Sequence, residues 1–199
     1  MIGTCPVCSA ALGPAEASSG CLTCRGARLG TNQDKIVAVL ETARGPLASW
    51  DVKRLLDSNG SRPVNKGSLM VWLSTDRRTC WGGPGIYGLY RHGLLPGVRD
   101  IGSAAAVVIN AAGEAVTQDE ARFLVQHIGY RFLSSSIYLA LRRVEEAGLL
   151  RREWGLWIPT RRSMGPILGL WRREDIDPVM ERAATQAAKA REAWDQAHG

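Results

Sequence analysis

The residues best placed to do chemistry are four cysteines near the start of the chain, Cys5-Pro-Val-Cys8 and Cys21-Leu-Thr-Cys24, with twelve residues between the pairs. A two-residue spacer lets both sulfurs of a pair reach one ion at about 2.3 Å, and the intervening segment is long enough to return the second pair to it. Four thiolates in a tetrahedral array form a closed structural site with no position left for water. The spacing therefore predicts one structural Zn2+ held by Cys5, Cys8, Cys21 and Cys24 in a ribbon over residues 1–30. Two disulfides or a redox pair are the other uses of such spacing. No secretory pattern precedes Cys5, which favours a reducing compartment, and a redox pair belongs on a βαβ unit rather than in a Gly/Ala/Ser-rich loop. Cys80, beside Trp81 in apolar surroundings, reads as a small core residue.

Beyond the cysteines, the informative side chains are cations. The 199 residues carry 25 Lys and Arg against 19 Asp and Glu, a net charge of +6. The excess lies in the middle: residues 31–100 hold ten Lys/Arg against six Asp/Glu, 101–171 hold eight against six, and 172–199 hold five against six. A basic middle suggests a polyanionic partner, and Arg, which outnumbers Lys, is the better fork for phosphate and guanine edges. With 45% hydrophobic residues the chain is globular, yet no apolar run approaches the ~20 residues of a membrane span. The expectation is an intracellular protein, cytoplasmic and nucleoid-associated or nuclear, without a membrane partner.

The elements that would position these cations come in a repeated order. Thr31-Asn32-Gln33-Asp34 offers N-cap chemistry to a helix carrying Ile36, Val39, Leu40 and Ala43 at helical spacing, stopped by Gly45-Pro46. A second helix starts at Ser49 and runs to Ser58-Asn59-Gly60. A third starts around Pro63 to Asn65, with Leu69, Trp72 and Leu73 as its buried stripe. The period then changes: Thr79-Cys80-Trp81, a Gly82-Gly83-Pro84-Gly85 turn and Ile86-Tyr87-Gly88-Leu89-Tyr90 read as a β-hairpin. The order returns in a helix from Ser103 to Ala112, a helix opened by Thr117 with Glu120 three residues on, and a helix capped by Ser134-Ser135-Ser136. Leu149 to Pro159, turning at Trp154-Gly155, makes a second hairpin. Three helices followed by a hairpin is the order of a winged helix-turn-helix. The predicted fold class is thus mainly α with small β-hairpins: a zinc ribbon (1–30), a first winged helix (31–100), a second (101–163), and a linker with a C-terminal helix (164–199). In that last helix Ile176, Met180, Ala183, Ala187, Ala190 and Trp194 alternate at spacings of four and three. Such a seam either packs on its own protein or joins two copies in a homodimer.

Residues 33–96 resemble the HARE-type winged-helix family. The resemblance rests on Arg62-Pro63-Val64-Asn65-Lys66-Gly67-Ser68-Leu69 leading the third helix, and on Trp81-Gly82-Gly83-Pro84-Gly85-Ile86-Tyr87-Gly88-Leu89, similar to that family's Gly-Pro-Gly-x-Tyr-Gly-Leu return. It covers about a third of the chain and implies DNA association, although members also serve as protein-docking modules.

In a helix-turn-helix the second helix of the motif enters the major groove with its N-terminal residues near base edges. In the first unit these are Asn65, Lys66 and Ser68, with Arg62, Arg77 and Arg78 placed for phosphates. In the second they are Ser135, Ser136, Tyr138, Arg142 and Arg143, with Arg151 and Arg152 on the wing and Trp154 at its tip. Strand alternation forbids Arg151 and Arg152 from facing the same groove. About six such contacts on one duplex would cost roughly a thousandfold in affinity between 50 and 200 mM salt. The expected function is double-stranded DNA binding, as a transcriptional regulator or DNA-recognition factor. Alternatives are an adaptor docking a polymerase or other protein, with the ribbon as a docking knob, and a modified-base sensor using Trp72, Tyr138, Trp154 or Trp157. No catalytic set is suggested: His92, His127 and His198 are scattered, and the glycine-rich turn lacks the Lys-Ser/Thr of a phosphate loop.

Overall fold

The computed structural model of the chain describes residues 31–58, 63–160 and 162–199. The four paired cysteines with their expected zinc ribbon, and Arg62, lie outside the described residues. The protein is mainly helical, with small antiparallel sheets that include hairpins, and ends in a long helix. It divides into two compact units. One runs to Thr79 and takes in Gly85–His92; the other comprises Cys80–Pro84 and Gly93–Gly199.

The first unit opens with α1 (Asn32–Thr42), begun by a capping box in which the Thr31 hydroxyl accepts from the Asp34 amide and the Asp34 carboxylate accepts from the Thr31 amide. Ile36 to Leu40 are all buried, so this helix is the centre of a small core. A two-residue strand, β1 (Leu47–Ala48), leads into α2 (Ser49–Ser58), which buries Val52 and Leu56. Next comes α3 (Lys66–Thr75), burying Leu69 and Leu73. The hairpin strands are β2 (Thr79–Gly83), which from Cys80 onward belongs to the second unit, and β3 (Ile86–Leu89). β1 and β3 run antiparallel, Leu47 opposite Tyr87 and Ala48 opposite Ile86.

The second unit repeats this plan. α4 (Ile101–Ala112) starts two residues earlier than Ser103, because Asp100 is the N-cap: its carboxylate accepts from the Ser103 amide at 2.9 Å. Eight consecutive residues, Gly102 to Ile109, are buried, making α4 the central rod of the unit. Gly113 ends it in the left-handed conformation. α5 (Gln118–His127) begins with the Thr117/Glu120 capping box that the sequence implies. α6 (Ser136–Glu146) departs from expectation at its start: no serine side chain caps it, and Ser135 is itself in helical conformation. β4 (Leu150–Glu153) and β5 (Leu156–Pro159) form the second hairpin in register, Arg151 opposite Ile158 and Arg152 opposite Trp157. Val116, between α4 and α5, exchanges two backbone hydrogen bonds with Trp157 of β5, at 2.9 and 2.8 Å. In both units, therefore, the segment after the first helix pairs antiparallel with the second hairpin strand.

A short α7 (Gly165–Leu168) leads to α8 (Arg173–His198). Val179, Ala183, Ala187 and Ala190 of α8 are buried in the same core as α4 and α5. Small residues at this seam let two helices approach closely, so the alanine repeat is used within the unit. Cys80 is 1% exposed in this core, and burial pushes its thiol up to about 11.

Candidate nucleic-acid interface

The clearest cluster of exposed cationic and aromatic side chains is built on α6 and the β4–β5 hairpin. α6 buries Ile137, Ala140, Leu141 and Val144, which turns its other residues outward on two flanks. On one flank stands Tyr138, 39% exposed. The guanidinium of Arg152 lies 5.9 Å from the Tyr138 ring centroid and 5.4 Å from that of buried Trp157. At these distances a guanidinium is held by the ring faces, and the contact locks hairpin and helix into one surface. Strand alternation sends neighbouring Arg151 to the other side, where its Nε donates to the Glu153 carboxylate at 2.9 Å.

The hairpin turns on two residues with positive φ, Trp154 at +52° and Gly155 at +82°. Two left-handed central residues are the signature of a type I′ turn, whose twist matches that of the strands. Glycine adopts this freely; for tryptophan it costs about 1–2 kcal/mol. Trp154 is 99% exposed, so no burial offsets the strain. A large aromatic held out from a strained tip is a feature that folding alone does not explain.

Arg142 donates to Glu145 at 2.8 Å, so its charge is locally countered. Ser136 and Arg143 are not on the Tyr138 flank: together with Leu139 they line a groove on the opposite side of α6. Ser135 is exposed just before the helix. The five candidates around α6 thus divide between two surfaces.

In the first unit, Asn65 is the N-cap of α3, its side-chain oxygen accepting from the Gly67 amide at 2.8 Å. Bidentate pairing with adenine needs that oxygen, so the cap competes with base reading. Lys66 and Arg77 are exposed and have no ion pair among the described residues, while Ser68 is half-buried. Arg78 is bound by two acids, its Nη1 on Asp34 at 2.7 Å and its Nη2 on Asp76 at 2.7 Å. Asp34 is held below the usual carboxylate range by the Thr31 hydroxyl and by Arg78, and Asp76 by Arg78. Arg78 is therefore a structural clamp between the start of α1 and the end of α3.

The groove was not evident in the sequence. It is open to solvent, has a volume of about 1080 Å³ and collects residues from four separate stretches of the second unit. No helix among the described residues is long and apolar enough to cross a membrane, and no group of three or more His, Cys, Asp or Glu among them is arranged to hold a metal ion. Comparison with protein-family models, with curated proteins and with solved structures finds no match to the chain.

Proposed function

We propose that the protein binds double-stranded DNA, as a transcriptional regulator or DNA-recognition factor, through two winged helix-turn-helix units. The carrying observation is the Arg152–Tyr138 contact, which joins helix and hairpin of the second unit into one cationic and aromatic face. The repeated order of helix, short pairing segment, two helices and hairpin supports the winged-helix reading. In this reading α6 lies in the major groove, Tyr138 and Arg142 approach bases and backbone, Arg152 approaches phosphate from the wing, and Trp154 reaches the adjacent minor groove. Minor-groove binders set apolar side chains against base steps in this way. Lys66, Ser68 and Arg77 would serve the first unit. The HARE-type resemblance of residues 33–96, carried by Gly85-Ile86-Tyr87-Gly88-Leu89, points the same way. On spacing alone, Cys5, Cys8, Cys21 and Cys24 hold one structural zinc ion in this proposal.

The ion pairs reduce the electrostatic share of binding. Arg78 is clamped, and Arg142 and Arg151 must each exchange a glutamate for a phosphate. Exposed pairs of this kind hold by about 0–1 kcal/mol, so the exchange is open to Arg142 and Arg151. Two to four phosphate contacts, rather than six, are then expected.

The test is duplex affinity measured by fluorescence anisotropy for the natural chain and for Arg152→Ala and Tyr138→Ala. Each substitution should weaken binding several-fold without unfolding the unit; unchanged affinity in both removes this face from the interface. An adaptor role is the second reading, favoured by Leu133 and Trp171, 76% and 82% exposed. It predicts partner binding that ignores salt and survives both substitutions.

A further inference from the structure

The groove beside α6 has a composition that DNA binding does not use. Its walls are apolar: Ile101 from α4, Leu139 from α6, Ile167 from α7, and Trp81. At its edge stand two guanidinium groups, Arg143 and Arg162, neither in an ion pair among the described residues. Arg162 lies over the end of α6, its Nη1 2.6 Å from where a Cβ on Gly148 would sit, so glycine there makes room for the guanidinium. The one carboxylate in the lining, Asp100, is already engaged, accepting from the Ser103 amide at 2.9 Å and from the Ser103 hydroxyl at 3.1 Å. What remains is an open, largely apolar groove of about 1080 Å³ with two forked cationic donors.

We infer that this groove is a binding site for a small organic acid, an acyl or aryl carboxylate whose apolar body lies on Ile101, Leu139 and Ile167 and whose carboxylate is taken by Arg143 and Arg162. Its volume suits a ligand of drug-like size, since such sites commonly enclose about 300–1,000 Å³ and are apolar with a few placed polar groups. Guanidinium is the group that matches a carboxylate bidentately; both arginines are exposed, so the fork together with the apolar wall, rather than desolvation of the charge, carries a preference of about tenfold. An apolar anion satisfies both halves of the lining; a neutral apolar molecule or a small inorganic anion satisfies only one. A flipped nucleotide base fits less well, because the groove opens on the flank of α6 away from Tyr138 and Arg152. The site does not depend on the DNA reading.

The experiment uses the full chain without DNA. Decanoate, decanol and acetate are titrated by calorimetry, and methyl resonances of Ile101, Leu139 and Ile167 are followed by NMR. Decanoate should bind saturably, one per chain, with shifts at those methyls; decanol should bind at least about tenfold more weakly and acetate not at all. The double variant Arg143→Gln, Arg162→Gln should bind decanoate no better than decanol, and its melting temperature should stay that of the natural chain, since neither arginine holds an ion pair. Absence of saturable decanoate binding, equal affinity for decanol, or a preference for decanoate that survives in the double variant would each overturn the proposal.

Discussion

Replacing Trp154 by asparagine separates folding from function, because the two should move in opposite directions. Trp154 occupies a left-handed position at φ +52° and is 99% exposed. The left-handed penalty for a bulky L-residue is about 1–2 kcal/mol, and asparagine, the preferred partner of glycine in a type I′ turn, largely escapes it. No buried apolar surface is lost with the indole. The hairpin, and with it the Trp157–Val116 pairing that anchors it to the core, should gain about 1 kcal/mol, or about 4 °C in the melting of a unit this size. Burying a large apolar side chain is worth about 1.5–3 kcal/mol, so losing the indole from the minor groove should lower duplex affinity by about tenfold to a hundredfold. Thermal melting followed by circular dichroism gives the first quantity and anisotropy the second. A variant that melts lower would refute the strain argument. A variant that melts higher but binds DNA as tightly as before would show that the indole has no role on nucleic acid.

Two further outcomes follow from the packing and the ion pairs. Ala183→Leu should destabilise the second unit by about 1–3 kcal/mol, since the alanine is fully buried in the core that α8 shares with α4, and a melt that does not shift would place α8 off the core. For the first unit, the sign of the pH dependence is set by Asp34 and Asp76, both held below their ordinary value of 3.8. Carboxylates with depressed folded values stabilise the fold fully above the unfolded value and lose that contribution as the pH falls through the folded value. Denaturant melts should therefore show the first unit weakening below about pH 4, and Arg78→Gln should flatten that dependence. An unaltered acid limb in the variant would mean that the clamp is not what holds these carboxylates down.

Much of the helical order was legible because its signals are local. Thr117 with Glu120 and Thr31 with Asp34 are capping pairs three residues apart, and Trp154-Gly155 between alternating segments marks a turn. Asp100 with Ser103 makes the same box with atypical residues, so the sequence pattern puts the helix start two residues late. β1 and the Val116 bridge span one or two residues and carry no period; they exist because β3 and β5 have a free edge for them. The alanine seam of α8 shows that the helix packs on something, but its spacing is the same for its own core and for a second copy. The interface was legible in residue type and not in grouping. Arg142 and Arg143 are adjacent in the chain yet face different flanks of α6, and the acids that engage Arg78 and Arg151 are set by three-dimensional placement. The groove joins residues 81, 101, 139 and 167, a juxtaposition no local pattern encodes.

The central claim is that a duplex docks on cationic side chains of these helix-and-hairpin faces. Duplex affinity of the natural chain, measured by anisotropy from 50 to 200 mM salt, tests it most directly. With two to four phosphates neutralised, affinity should fall by about tenfold to a hundredfold over that range, log K falling linearly in log salt with a slope of about −2 to −4. Affinity that does not change with salt, or no duplex binding at 50 mM, would contradict it.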